Sequence, residues 1–290
     1  MHRFWRIKYS KMKQRIITAA IGLVIFLPCL IFSDTVALEI IFAFLGALAV
    51  FELIRCCRRS TNLWILIPSI VLALFMPFTV RQIETETSFP VLLLIVFVVY
   101  LLYVFTVSMF SKGRLPISDA ALISMMTVYI ITGFCGVIFV RSIPLIGGVV
   151  FWIIFISSWI PDSGAYFVGI KFGKHKLIPD VSPKKTVEGA VGGILTCVIV
   201  FIIYTLIANA VSEVKLNLLL MILAAIILSI ASMIGDLIAS HIKRTYKIKD
   251  YGNLLPGHGG VLDRFDSVLA TSCIMFVLSM IPSFVVNLMK

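Results

Sequence analysis

Two stretches concentrate the ionisable residues of an otherwise apolar chain. One is PDSGAYFVGIKFGKHKLIPDVSPKKTVEGAVGG, Pro161 to Gly193; the other is SHIKRTYKIKDYGNLLPGHGGVLDRFDS, Ser240 to Ser267. The second ends in Asp263 and Asp266, which are i, i+3 neighbours and share a face if the segment is helical. Two carboxylates near a third, Asp236, form a donor set suited to Mg2+, an ion that takes oxygen ligands and completes its shell with water and substrate phosphate. Lone acids so placed would repel one another, so a divalent cation or a lysine must compensate. If the helix carrying Asp236 continues past residue 240, then Asp236, Ser240, Lys243 and Lys247 fall on one face, an acid at one end and cations at the other.

Both stretches also hold phosphate-binding chemistry. SPKKT, Ser182 to Thr186, places Lys184 and Lys185 between two hydroxyls directly before an apolar run. A helix beginning there offers unpaired N–H groups and the positive end of its dipole, and Glu188 falls in its first turn. The alternative is a capped helix start with topology-setting lysines. PGHGG, Pro256 to Gly260, lets backbone approach a bound group closely. His258 has the chemistry of a phosphate donor, proton carrier or metal ligand, or is a loop histidine with no role. Lys243, Arg244, Lys249 and Arg264 suit phosphate oxygens, arginine above all through its planar fork.

The elements that must position these groups are membrane spans. The chain has 290 residues, is 60% hydrophobic and only 13% charged, where a soluble domain is about a quarter charged. Apolar runs of about 20 residues, enough to cross a bilayer core as helices, predict nine spans at 16–33, 35–54, 62–79, 89–110, 119–140, 145–161, 189–209, 216–239 and 267–288. The expected fold is therefore all-α and polytopic, a single membrane domain over 1–290 with N-terminal helices at 16–140 and catalytic helices and loops at 145–288. Continuous apolar runs argue against a β-barrel. Pro161 is expected to break or kink the sixth span, leaving Asp162, Ser163 and Gly164 where backbone groups are freed. Gly189 and Gly193 have the small-xxx-small spacing of close helix packing.

The net charge of +11 does not point to nucleic acid. With the N-terminus inside, 21 of the 25 Lys and Arg residues fall on the cytoplasmic side, the bias that orients membrane proteins. That topology also brings Asp162, Asp236, Asp263 and Asp266 to the same depth, on the side of both basic loops. Charge in a bilayer is costly, so the convergence marks a headgroup-level site where a water-soluble anion meets a lipid. The six cysteines show neither metal-ligand spacing nor a disulfide framework.

The residues Ser240, Ile242, Lys243, Arg244, Lys249, Asp250, Gly252, Leu255, Pro256, His258, Gly259, Gly260, Val261, Asp263, Arg264, Phe265 and Asp266 fill, without departure, a long pattern that resembles the signature of phosphatidate cytidylyltransferases (CDP-diacylglycerol synthases). DSGAY and SPKKTVEG resemble the same family's upstream motifs, so the likeness covers roughly residues 150–270. The resemblance implies a reaction of CTP with phosphatidate giving CDP-diacylglycerol and pyrophosphate. It implies Mg2+, alone or with a second cation, held through Asp236, Asp263 and Asp266. Lys243 and Arg244 would join these acids in catalysis. Asp162, Ser182, Lys184, Lys185, Thr186, Glu188, Ser240, Lys249, His258 and Arg264 would bind substrates. It further implies a homodimer in the cell membrane, with N-terminus and site cytoplasmic. Rival readings are a CTP-dependent kinase of a polyprenol-type lipid, which would want a base for its alcohol nucleophile, and an anion transporter, which would place charge near the midplane and often carry repeats. A non-catalytic scaffold gives the clustered acids no reason.

Overall fold

The computed structural model describes residues 22, 24, 26–57, 63–82, 88–253 and 259–289. Its elements are α1 (Ala37–Cys56), α2 (Leu63–Gln82), α3 (Ser88–Phe110), α4 (Ile117–Ser142), α5 (Gly147–Phe172), β1 (Lys176–Ile178), β2 (Ser182–Thr186), α6 (Val187–Val211), α7 (Leu218–Thr245), α8 (Leu262–Ser279) and α9 (Pro282–Leu288). Among the described residues, seven helices are long and apolar enough to cross a membrane, or eight if α8 and α9 count as one span bent by 96°. Helices dominate because lipid offers no partner to a backbone N–H or C=O, so each segment must satisfy its own. The first expected span, 16–33, lies partly outside the described residues, and His258 lies outside them.

The described spans follow the expected order, with differences that bear on the site. The sixth was expected to stop at Pro161, but α5 runs through it to Phe172 and keeps Asp162, Ser163 and Gly164 helical. Proline leaves only one N–H missing from a helix whose other bonds continue, and neighbours supply the packing that tolerates it in membranes. The ninth begins at Leu262 rather than 267 and ends at Ser279, before the turn to Pro282. Lys247, expected on the face of Asp236, has a φ of 56° beyond the end of α7 and leaves that register.

The chain forms two compact units, each with its own packing: residues 1–79, 92–131 and 245–265 in one, residues 80–91, 132–244 and 266–290 in the other. In the second unit α5 and α6 pack through a seam of small residues. A Cβ on Gly164 would lie 2.6 Å from Thr196 Oγ1, one on Gly193 2.7 Å from the Pro161 carbonyl, and one on Gly189 2.8 Å from the Ala165 carbonyl. The small-xxx-small spacing is thus used for packing, as expected. Between these helices lies an antiparallel hairpin with Lys176 opposite Thr186 and Ile178 opposite Ser182. Its turn, Ile178-Pro179-Asp180-Val181, is closed by Val181 N–H donating to the Ile178 carbonyl at 3.3 Å, and proline presets the dihedral its second position needs.

Candidate active site

The second unit gathers acids from three helices and cations from two elements around them. Lys185, on β2, reaches Asp236 on α7, with Nζ 2.5 Å from Oδ2 and both side chains about three-quarters covered. The charges of Lys185 and Asp236 act on Asp162 of α5, and those of Asp236, Lys243 and Asp162 act on Asp266 of α8. Close approach of α7 and α8 rests on Gly235: a Cβ there would stand 2.6 Å from that of Ala270 and 2.7 Å from the Asp266 carbonyl. Any side chain at 235 would push apart the two helices that carry Asp236 and Asp266.

Beneath the acids lies a layer of buried hydroxyls. Ser158 precedes Asp162 by one turn, and Ser232 precedes Asp236 by one turn. Ser158 Oγ is 2.8 Å from Thr271 Oγ1 of α8, and Ser232 Oγ donates to the Ser158 carbonyl at 3.4 Å. Each hydroxyl has a helix carbonyl to donate to, which lets it sit in apolar surroundings at small cost. The layer bonds α5 to α7 and α8 directly under the carboxylates.

The hairpin is anchored at three points. The Thr186 side chain caps α6, accepting from Gly189 N–H at 3.1 Å. Glu188 accepts from the N–H groups of Lys174 and His175 at 3.1 and 3.2 Å, and its Oε1 stands 2.6 Å from His175 Nδ1. Arg244 Nε donates to the Val181 carbonyl at 3.4 Å. Thr186, Glu188 and Arg244, all expected to meet substrate or reacting groups, are thus engaged with protein in this structure. Lys184 and Lys185 were equivalent in sequence, yet Lys184 is exposed while Lys185 turns to the acids. Ser182 is half-buried on β2, and Ser240 and Lys243 are half-buried on α7.

The first unit contains Asp263, the glycines Gly259 and Gly260 before it, and Glu52. Asp263 is buried, and its Oδ2 accepts from Tyr251 N–H at 2.8 Å and Gly260 N–H at 3.0 Å. Gly259 has a φ of +87°, which a side chain would strain. Arg264 and Lys249 are exposed. Glu52, on α1, is not among the residues expected from sequence. It is buried, and its two oxygens accept from Val261 and Leu262 N–H at 3.0 and 2.9 Å. The signal was present, because an acid inside an apolar span is a functional hypothesis by default. His175 was also missed; nothing in its spacing singles it out.

Among the described residues no three His, Cys, Asp or Glu side chains form a group that could hold a metal ion by themselves. Asp236, Asp263 and Asp266, the three acids expected to hold Mg2+ together, therefore do not form such a group; the ion usually takes one or two carboxylates from protein and the rest of its shell from substrate phosphates and water. Asp236 and Asp266, with Lys185 offsetting part of their charge, fit that description.

Long apolar helices, with acids and a lysine among them, define a multi-pass membrane protein. The cytidylyltransferase family profile matches residues 13–281. Phosphatidate cytidylyltransferase of Bacillus subtilis (strain 168) is 34% identical over 259 residues, 89% of this chain and 94% of its own. That of Staphylococcus haemolyticus (strain JCSC1435) is 37% identical over 262 residues, 89% of this chain and 95% of its own. That of Staphylococcus epidermidis (strain ATCC 12228 / FDA PCI 1200) is 35% identical over 258 residues. The chain belongs to the cytidylyltransferase family, and it is an enzyme.

Proposed function

We propose that the protein transfers the cytidylyl group of CTP to phosphatidate, giving CDP-diacylglycerol and pyrophosphate for phospholipid synthesis. The observation that carries this reading is the Lys185–Asp236 pair, its aspartate on a helix joined through Ser232 and Gly235 to those carrying Asp162 and Asp266, in one unit of a family member. A phosphate oxygen of phosphatidate attacks the α-phosphorus of CTP in line. The new P–O bond forms as the bond to the β-phosphate oxygen breaks, and pyrophosphate leaves with the electron pair. Such a transfer needs positioning and charge stabilisation rather than a protein nucleophile.

Lys185 and Lys243 lie where phosphate oxygens approaching the acids would meet cations, and Lys184, exposed on the same hairpin, supplies a third. Asp236 and Asp266 would hold Mg2+, which supplies neutralisation of the α-phosphate and the leaving group. Asp263, expected to join them, accepts from the N–H groups of Tyr251 and Gly260 within the other unit. The site faces the cytoplasm in the cell membrane, and the enzyme works as a homodimer; the inward bias of the Lys and Arg residues and the family resemblance support this placement. The test uses purified protein with phosphatidate, Mg2+ and CTP labelled separately at the α- and γ-phosphates. The α-label entering lipid while the γ-label leaves as pyrophosphate is the expected result. Transfer of γ-label to an added polyprenol would replace the reading with a lipid kinase.

A further inference from the structure

Two carboxylates gather the backbone of Tyr251 and of residues 260–262, and the reaction proposed above explains only one of them. Asp263 belongs to the signature and gathers Tyr251 and Gly260 N–H groups. Glu52 comes from α1, 209 residues away, and receives the next two N–H groups, Val261 and Leu262. Four backbone donors at the entry to α8 therefore converge on two buried acids. Gly252 and Gly260 lie flat against the Glu52 carboxylate, and a Cβ on either would overlap it. The two glycines thus leave the room that Glu52 occupies.

An acid buried among the helices of a membrane protein is expensive, and α1 gains nothing locally from it. Its oxygens are spent on the segment that opens α8, where Asp263, Arg264 and Asp266 follow within five residues of Val261. We infer that Glu52 is a positioning residue for cytidylyl transfer: it holds Val261 and Leu262, the entry to α8, in the geometry that presents the charged side chains that follow. The assignment rests on the proposed reaction for its catalytic half and on the hydrogen bonds alone for its structural half. Loss of Glu52 lowers turnover with little change in the CTP concentration required, since misplacing reacting groups by about 1 Å costs on the order of 100-fold.

The experiment pairs transfer of α-label from CTP to phosphatidate with hydrogen exchange of the 251–262 peptide, on wild type, Glu52→Gln, Glu52→Ala, Gly260→Ala and the Glu52→Ala/Gly260→Ala double variant. Glutamine keeps one acceptor but turns an NH2 toward a backbone N–H. Expected are faster exchange at Val261 and Leu262, by about tenfold for a lost charge-assisted bond, and a kcat at least tenfold lower at similar CTP KM. Gly260→Ala, which crowds the carboxylate without removing it, should show the same pair of effects, and Glu52→Ala with Gly260→Ala should be no worse than either alone. Wild-type exchange in both variants would overturn the loop assignment. Faster exchange with wild-type kcat would reduce Glu52 to a structural residue. Strictly additive losses in the double variant would show that the two residues act independently and would also overturn it. If wild type itself moves no α-label, the proposed reaction and the catalytic half fall together, while exchange still decides the structural half. Should Glu52→Gln fail to insert, Gly260→Ala carries the same comparison.

Discussion

Replacing Lys185 by methionine keeps most of the unbranched side chain and removes its charge. In the structure this lysine is the partner of Asp236 at 2.5 Å, and its charge also acts on Asp162. Removing one member of a largely buried pair costs about 3–5 kcal/mol, because the other charge is left uncompensated. Both side chains retain about a quarter of their exposure, so the lower end applies. The acids of the site then carry one more uncompensated negative charge. Two opposite consequences follow. A divalent cation binds more tightly, so half-maximal activity comes at lower Mg2+. The nucleotide, itself an anion, binds and reacts less well. A loss of about 3 kcal/mol in transition-state stabilisation is on the order of 100-fold in kcat/KM for CTP. The assay is initial rate of lipid labelling across a grid of CTP and Mg2+ concentrations, with a thermal melt to confirm that the protein is folded. Unchanged kcat/KM together with an unchanged Mg2+ requirement would refute the reasoning, since the ion pair would then have no bearing on the site.

Asp266→Asn should insert and fold but lose turnover by at least 100-fold, measured as α-label in lipid; a wild-type rate would remove Asp266 from the metal site. Gly235→Ala should cost about 1–3 kcal/mol of stability through overpacking against Ala270 and the Asp266 carbonyl, read as a lower melting temperature with a parallel loss of rate. At the end of α1, burial pushes the Cys57 thiol up to about 11, so it stays protonated at pH 7.5. Maleimide labelling of Cys57 should therefore be slow there and quicken as pH rises toward that value. Labelling as fast as that of an exposed thiol would contradict the buried placement.

Much of the architecture was legible in the chain, because a bilayer imposes one strong rule. A span must be long, apolar and internally hydrogen-bonded, so runs of hydrophobic residues reveal helices and their order without any knowledge of neighbours. The acids stood out for the same reason, as costly residues in apolar surroundings. The hairpin between α5 and α6 was not legible: eight strand residues full of lysine and proline carry no alternating pattern. Nor was the continuation of α5 through Pro161, which local propensity opposes and packing against the glycines of α6 permits.

Residue type and spacing alone established a polytopic helical protein with metal-capable acids and phosphate-capable cations in two segments. Tertiary structure decided which of them meet. It turned Lys185 rather than Lys184 toward Asp236, engaged Asp263 and Glu188 with backbone N–H groups, and brought in Glu52 from a distant helix. The physical reason is the short range of the interactions involved. Hydrophobic runs are written along the chain, whereas a hydrogen bond or an ion pair is set by a few ångströms between residues that only the packed fold makes neighbours.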